Sequence, residues 1–158
     1  MGRWRCTGFY SEPNRTNRRR TGELLRNLAR DNLTSDANLP WYVMGDLNNI
    51  VAQSDKRGGA PYPTWLVEGF NETLTASGLN DMNIIGHQYI WERSRGTENW
   101  IETRLDRVLM NEEWVEWFPL SKLYNLEGSQ SDHSPIFLDT SKLIREQRPS
   151  RKFKFKNA

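Results

Sequence analysis

An aspartate and an asparagine follow a short apolar run in the segment WYVMGDLNN, which covers residues 41–49. If that run is a buried strand, Asp46 and Asn48 point in the same direction, because side chains two apart on an extended segment share a side. A carboxylate and an amide held together can bind a cation and orient a phosphate group or a water molecule. The Gly-Asp-x-Asn pattern also suits an ordinary turn after a strand, so both interpretations stay open.

A second acid stands inside an apolar pattern, in the segment RLDRVLM. Alternation along one strand over residues 102–110 would place Arg104, Asp106 and Val108 on the same face. A charge within a strand is costly unless it is paired, so Asp106 needs a partner. A histidine would serve this purpose, and a salt bridge to a neighbouring arginine is the alternative.

The segment SDHSPIFLD supplies such a histidine directly before another apolar run. His133 is adjacent to Asp132, and imidazole is the side chain whose ordinary pKa suits proton transfer near neutral pH. A single histidine is more often structural. The adjacent acid and the strand-embedded Asp106 favour a functional role here.

These residues must be positioned by a mixture of short strands and helices. Apolar alternation and turn signals predict strands at 4–10, 41–44, 87–93, 102–110, 121–127 and 135–139. Helices are predicted after Thr21 as N-cap with Leu24, Leu25 and Leu28 on one face, over Val67–Ser77 ending at Gly78, and after Asn111 as N-cap. Hairpin-like pairs outnumber βαβ units, which predicts an α/β or α+β sandwich with an antiparallel component.

Length and composition narrow the class of protein. The 158 residues fit one domain, with a sizeable core. Cys6 is the one cysteine, which excludes a disulfide framework and a cysteine-based zinc site. The sequence shows no signal peptide and no apolar run of membrane length. We therefore expect an intracellular protein, with the nucleus as a candidate compartment.

The small net charge of +2 hides a strong segregation of charge. Residues 1–30 hold eight arginines against two glutamates, and residues 142–158 hold seven basic residues against one glutamate, so each end carries +6. The overall +2 leaves −10 for residues 31–141. We expect the basic ends to bind DNA non-specifically and the acidic middle to attract cations. The alternative is that these charges are simply solvated.

The motifs GFY…PN, GDLN, RLDR and SDH, in this order, resemble the endonuclease/exonuclease/phosphatase superfamily. That family includes apurinic endonucleases, DNase I-like nucleases and inositol phosphate phosphatases. The amino-acid sequences of the segments that contain these motifs are most similar to the endonuclease domain of plant LINE-type non-LTR retrotransposons. The resemblance covers residues 7–137 and implies metal-dependent cleavage of DNA with Mg²⁺ or Mn²⁺.

The resemblance also implies a role for individual residues. The implied catalytic residues are Tyr10 on the scissile phosphate, Asp46 in proton handling, Asn48 in positioning, Asp106 in orienting the histidine, and His133 in activating water or stabilising the pentavalent phosphorus. Asp132 matches a metal-side aspartate. Substrate-phosphate binding is assigned to Asn14, Arg15 and Trp91, although one extra residue separates Asn14 from the tyrosine motif.

Members of that family begin with a half-domain that carries an early asparagine and a metal-binding glutamate. Here Met1 leads straight into the strand before Tyr10. We therefore expect residues 1–140 to form the C-terminal half of a DNase I-like four-layer sandwich, with one mixed, largely antiparallel sheet and flanking helices. Residues 141–158 would be a basic tail or linker.

A missing half predicts low activity and an uncovered sheet face that promotes self-association. Candidates for that face or the layer beneath it are Trp4, Phe9, Trp41, Val43 and Ile136. Two alternative functions stay open. One is a non-catalytic remnant that binds nucleic acid, and the other is a phosphatase or phosphodiesterase of the same superfamily that acts on small esters.

Overall fold

The computed structural model describes residues 3–34, 38–126, 128 and 131–141, so the predicted basic tail beyond residue 141 lies outside the described residues. The helices are α1 (Arg18–Thr34), α2 (Thr64–Ala76) and α3 (Glu112–Trp117), with single 3₁₀ turns at Arg15–Asn17 and Gln53–Asp55. The strands are β1 (Arg5–Tyr10), β2 (Trp41–Asp46), β3 (Lys56–Arg57), β4 (Asn80–Asp81), β5 (Ile84–Ile85), β6 (Trp91–Arg93), β7 (Ile101–Thr103), β8 (Asp106–Met110), β9 (Lys122–Asn125) and β10 (Ile136–Asp139). Within these ranges, no helix has the length and apolar character needed to cross a membrane.

The described strands form three hydrogen-bonded sheets. The main sheet has the order β1-β2-β8-β4, and two smaller sheets have the orders β10-β9-β5 and β3-β7-β6. Only the β1–β2 and β5–β9 pairs are parallel, and the other described pairs are antiparallel. The predicted fold class, a mixed and largely antiparallel α/β arrangement with flanking helices, is confirmed, although the strands divide among three sheets.

Helices α1 and α2 cover one face of the main sheet. Leu25 of α1 and Phe70 and Leu74 of α2 pack against Val43 and Leu109 of the central strands. The helical spacing of the leucine and phenylalanine side chains and the alternation along β2 and β8 bring these apolar faces together. Because the same strands end at the polar motifs, this core fixes where those motifs lie.

The predicted candidates for an uncovered face divide between the two sides of the main sheet. Phe9, Trp41 and Val43 belong to the core beneath the helices, with Trp41 only 1% exposed. Ile136 packs on the opposite side, and Trp4 stacks on Tyr42, which borders that same side. Phe9, Trp41 and Val43 thus lie in the core and not on an uncovered face, since alternation alone does not say which face the helices occupy.

The start of α1 differs from the prediction. Thr21 was predicted as the N-cap, but the helix begins at Arg18. Thr21 is buried, and its hydroxyl lies 3.1 Å from the hydroxyl of Ser11. Leu24, predicted on the packed face, is exposed. Helix α1 therefore begins about one turn earlier than predicted, so part of the arginine-rich segment is helical.

Two helix boundaries agree with the sequence. Asn111 caps α3, since its side-chain oxygen accepts a hydrogen bond from Trp114 N at 3.0 Å. Gly78 follows α2 with a φ of +61°, which is a conformation that favours glycine at a helix end. The residue types at these positions therefore suffice to place the start of α3 and the end of α2.

The segment predicted as one strand over residues 102–110 is two strands in different sheets. Regular strand structure is interrupted at Arg104 and Leu105, where Arg104 N donates a hydrogen bond to Asp55 O at 2.8 Å. Past the break, the fully buried guanidinium of Arg107 bridges Asp55 and Asp81, each at 2.5 Å. The placement of Arg104 and Asp106 on one face of a single strand is therefore wrong, because this long-range network redirects the chain.

The close approach of β1 and β2 requires a glycine just before Asp46. Gly45 has a φ of +147°, and a Cβ added there would lie 2.0 Å from the carbonyl oxygen of Phe9. A side chain cannot fit in that space without separating the two strands.

We expect Gly45→Ala to lower the free energy of unfolding by about 2 kcal/mol or more, from strain and lost strand pairing. Gly8→Ala is the matched control in the neighbouring strand, since a Cβ there meets nothing within 4 Å. Its effect should stay within about 0.5 kcal/mol. Urea denaturation of both variants checks this, and equal stability of the two would contradict the packing described here.

Candidate active site

Three of the predicted site residues form a row across the main sheet. Tyr10 is the register partner of Asp46 on the adjacent parallel strand, and Asp46 is the partner of Asp106 on the next, antiparallel strand. The first two strands end, and the third begins, at the same edge of the sheet. Strand pairing alone thus brings together residues that are far apart in sequence.

His133 joins this row through Asp106. Its Nδ1 atom lies 2.7 Å from Asp106 Oδ2, within the range of a strong hydrogen bond. An ionised carboxylate can only accept, so Nδ1–H donates and the second ring nitrogen, Nε2, is left free of this bond. The geometry predicted from the sequence for this pair is present.

Backbone pairing holds the SDH segment in place. His133 forms an isolated antiparallel β-bridge with Trp91 of β6. Glu92 N donates to Asp132 O at 2.9 Å, and Ser134 N donates to Ile90 O at 2.7 Å. The histidine backbone is therefore fixed beside β6, while its side chain reaches the end of β8.

Burial sets the electrostatics of Asp106. Removal from water raises the pKa of this carboxyl above its ordinary value, and the nearby charge of Asp46 raises it further. The hydrogen bond from His133 and its charge oppose these effects. Asp106 is thus a desolvated carboxylate whose ionised form relies on the imidazole.

Asp46 and Asn48 are hydrogen-bonded to each other in a local turn. Asp46 Oδ1 accepts from Asn48 N at 2.8 Å, and Asp46 Oδ2 accepts from Asn48 Nδ2 at 3.1 Å. Asn48 has a positive φ of +47°, and its amide also donates to Ser11 O at 3.1 Å. The motif therefore has the hydrogen bonds of a turn, and these same bonds fix the carboxylate at the sheet edge.

Tyr62 and Arg18 support this turn from outside, and neither was predicted as part of the site. The Tyr62 hydroxyl donates to Asn48 O at 3.1 Å, and it also accepts a hydrogen bond from the Arg18 guanidinium. Burial lowers the pKa of Arg18 to about 10, and Asp46 is close enough to oppose that shift. No local signal in the sequence connects Tyr62 with Asn48, because the contact depends on the tertiary fold.

Asp132 and Trp91 are bonded to each other. The indole N–H of Trp91 donates to Asp132 Oδ2 at 3.1 Å, and this bond is the main cause of a lowered pKa at Asp132. Trp91 therefore uses its one N–H to hold the aspartate, whereas the sequence predicted that it binds substrate phosphate. The predicted roles of both residues stay predictions.

Asn14 and Arg15, the other predicted phosphate ligands, lie on the exposed turn before α1. Asn14 caps this turn by accepting from Thr16 N at 3.1 Å. The Arg15 guanidinium lies over the ring of Tyr62, 5.4 Å from its centroid. Asn14 thus has a local structural function, and Arg15 is placed beside the support of the Asn48 turn.

The described side chains provide only part of the ligand set that a hard cation such as Mg²⁺ needs. Across residues 3–34, 38–126, 128 and 131–141, no group of three or more His, Cys, Asp or Glu side chains could hold a metal ion. Magnesium can be bound through one or two carboxylates when phosphate oxygens and water complete its coordination. The exposed carboxylate of Asp132 suits such an incomplete ligand set.

Similar folds occur among solved structures. The endonuclease domain of TRAS1, a telomere-specific non-LTR retrotransposon, matches with a TM-score of 0.59 and 18% identity, over 89% of this chain and 56% of that one. Beta toxin 275-280 from Staphylococcus aureus matches with a TM-score of 0.54 and 18% identity, over 86% of this chain and 51% of that one. The chain therefore spans about half the length of these structures.

At this level of identity the similarity shows the fold alone. The sequence matches no protein-family model and no curated protein. Together with the mixed sheets and flanking helices, the structural similarity shows that the chain has a DNase I-like fold.

We expect Asp106→Asn and Asp132→Asn to change the free energy of unfolding in opposite directions at pH 7. Folding disfavours the ionised form of Asp106, whose pKa is raised, so a neutral amide removes that penalty. Folding favours the ionised form of Asp132, whose pKa is lowered, so its amide loses stability.

The pH dependence separates the two effects. The advantage of Asp106→Asn should vanish as pH falls through the raised pKa of Asp106 toward the ordinary value of 3.8. The deficit of Asp132→Asn should persist down to about the same ordinary value of 3.8 and vanish below it. Urea denaturation across this pH range measures both, and destabilisation by Asp106→Asn at pH 7 would contradict the burial argument.

Proposed function

We propose that this chain carries part of a metal-dependent phosphodiesterase site that cleaves DNA. The observation that carries the proposal is the 2.7 Å contact between His133 Nδ1 and Asp106 Oδ2, next to Asp46 in the strand register. The DNase I-like fold supports it, since one structure with this fold is the endonuclease domain of a non-LTR retrotransposon. The motif resemblance to LINE-type endonucleases points to the same class.

His133 is the proposed general base of this reaction. Its Nε2 atom would take a proton from a water molecule as the water oxygen bonds to phosphorus and the phosphorus bond to the leaving oxygen breaks. Solvent would protonate that leaving oxygen. Asp106 would keep Nε2 turned toward the substrate, as an acid that orients a catalytic histidine does in other hydrolases.

Tyr10, Asp46 and Asn48 would position the substrate. Tyr10 is 75% exposed at the end of β1, so its hydroxyl is available to a phosphate oxygen. The two hydrogen bonds from Asn48 hold Asp46 in one orientation, which suits a carboxylate that must orient water or handle a proton. Positioning of this kind lowers the entropic part of the barrier.

Asp132 is the residue proposed to hold Mg²⁺ or Mn²⁺, with phosphate and water oxygens as the other ligands. When bound, such an ion neutralises charge that develops on the phosphate. Because no cluster of three metal-ligating side chains occurs in the described part of the chain, we expect weak metal binding and slow cleavage by this chain alone.

A non-catalytic function in nucleic-acid binding is the second candidate. The eight arginines in residues 1–30 favour it, and binding of this kind needs no metal. Hydrolysis of small phosphate esters is a third candidate, which the same His133 and Asp106 pair could serve.

We expect His133→Ala to reduce the nicking of supercoiled plasmid with Mg²⁺ or Mn²⁺ by at least about 100-fold, because it removes the general base. Plasmid nicking suits a slow enzyme, since one cut changes the mobility of the whole molecule. His87→Ala is the matched control, because the chain has two histidines and His87 contacts Glu102 at 3.0 Å, outside this site.

Three outcomes of this assay decide among the candidates. Nicking that depends on metal and His133, but not on His87, supports the proposal. Nicking that survives His133→Ala contradicts the assigned base. A complete lack of nicking leaves the binding function and the small-ester function. Parallel assays of p-nitrophenyl phosphate and bis-p-nitrophenyl phosphate separate these two, because only the small-ester function predicts their hydrolysis.

A further inference from the structure

A groove between α1 and α2 leads away from the candidate active site. Its basic side chains are Arg15, Arg18, Arg19 and Arg26, and Glu72 is the acidic residue that lines it. The sequence indicated only that the N-terminal segment as a whole is basic. The fold concentrates four of those arginines along one channel, which favours a polyanionic ligand.

The groove begins at the active-site turn. Asn49 lines it, and Asn49 Oδ1 accepts from Arg18 Nη1 at 3.4 Å. Tyr62, which bonds to Asn48 O, lies under both Arg15 and Arg18 with their guanidinium carbons 5.4 and 5.7 Å from its ring centroid. The arginines at this end of the groove therefore lie beside the Asn48 turn, which is hydrogen-bonded to Asp46.

Arg18 has unused hydrogen-bonding capacity in this groove. Its Nη atoms bond to Tyr62, Asn49 and Pro13 O, while its Nε is buried without a hydrogen-bond partner. A buried donor without a partner is costly. A shift of the Arg18 side chain toward a bound phosphate oxygen would expose and satisfy this donor.

The walls of the groove also suit a nucleobase. Trp65, on the first turn of α2, lines the groove and is 64% exposed. Gly69 leaves open space at the wall of the groove, because a Cβ added there would meet nothing within 4 Å. An exposed aromatic ring beside a basic channel is the combination by which proteins bind single-stranded nucleic acid, with bases stacked on the ring.

We infer that this groove binds a single nucleic-acid strand on one side of the scissile phosphate. The arginines contact its phosphates and Trp65 stacks on a base. From Arg18 to Arg26 the channel follows α1 for about 12 Å, at 1.5 Å per residue. The inference rests on the proposed function for the location of the scissile phosphate, whereas strand binding can be measured without cleavage.

Fluorescence anisotropy with a labelled oligothymidylate of about 12 nucleotides tests the groove, with EDTA present so that no metal-dependent cleavage occurs. Trp65→Ala should weaken binding roughly tenfold, and Trp65→Phe should restore most of the affinity because it keeps an aromatic ring. Trp117→Ala is the control, since Trp117 is 45% exposed on α3 and should leave the affinity unchanged.

Separate variants test how the charge of the groove and its open space contribute to binding of the strand. Arg26→Ala should reduce the salt dependence, the slope of log K against log salt, by about 0.7 for one lost phosphate contact on a single strand. Arg20→Ala removes the same charge from an exposed position of α1 that does not line the groove, and should leave the slope unchanged. Gly69→Leu should weaken binding at constant charge, because its Cβ meets nothing within 4 Å and the larger side chain would fill the groove.

Equal losses with Arg20→Ala and Arg26→Ala would overturn the inference, since they would indicate diffuse attraction by the basic segment. Unchanged affinity with both Trp65→Ala and Gly69→Leu would overturn it as well. Circular dichroism confirms that each variant is folded, and Gly69→Leu is expected to fold at least as well because leucine favours helix over glycine. A protein that cleaves DNA can fail this test, and an inactive protein can pass it, so the two proposals fail independently.

Discussion

The pairing register of β1, β2 and β8 is the constraint on which the site depends. A slip of one residue turns every side chain of a strand to the opposite face, which would separate Tyr10, Asp46 and Asp106. Apolar packing beneath the helices and the close contact at Gly45 hold the register. The core and the site are therefore built from the same strands, so that mutations in one are expected to disturb the other.

Electrostatics adds a second constraint at the same edge. Asp46 and Asp106 are neighbours in the register, and two adjacent carboxylates need separate partners. Asn48 bonds to the first and His133 to the second. Arg107 follows Asp106 in the chain, yet it is turned away to bridge Asp55 and Asp81, so the imidazole takes the position that the neighbouring arginine could have filled.

The sequence revealed the features that depend on local pattern. The strand before Asp46, the Asn111 cap and the need of Asp106 for a partner all follow from neighbouring residue types. The break at Arg104 and the support of Asn48 by Tyr62 do not, since they depend on bonds between segments 14 to 49 residues apart. The helix-covered face of the main sheet was unpredictable for the same reason, because alternation defines two faces without telling which one is covered.

The protonation of His133 tests the central claim most directly, because Asp106 can keep Nε2 available only by accepting a hydrogen bond from Nδ1–H. Nitrogen-15 NMR of the imidazole distinguishes the two neutral tautomers, and His87→Gln assigns the signals in a chain with two histidines. We predict that neutral His133 carries its proton on Nδ1 and that Asp106→Ala abolishes this preference. A proton on Nε2 in the wild-type protein would contradict it.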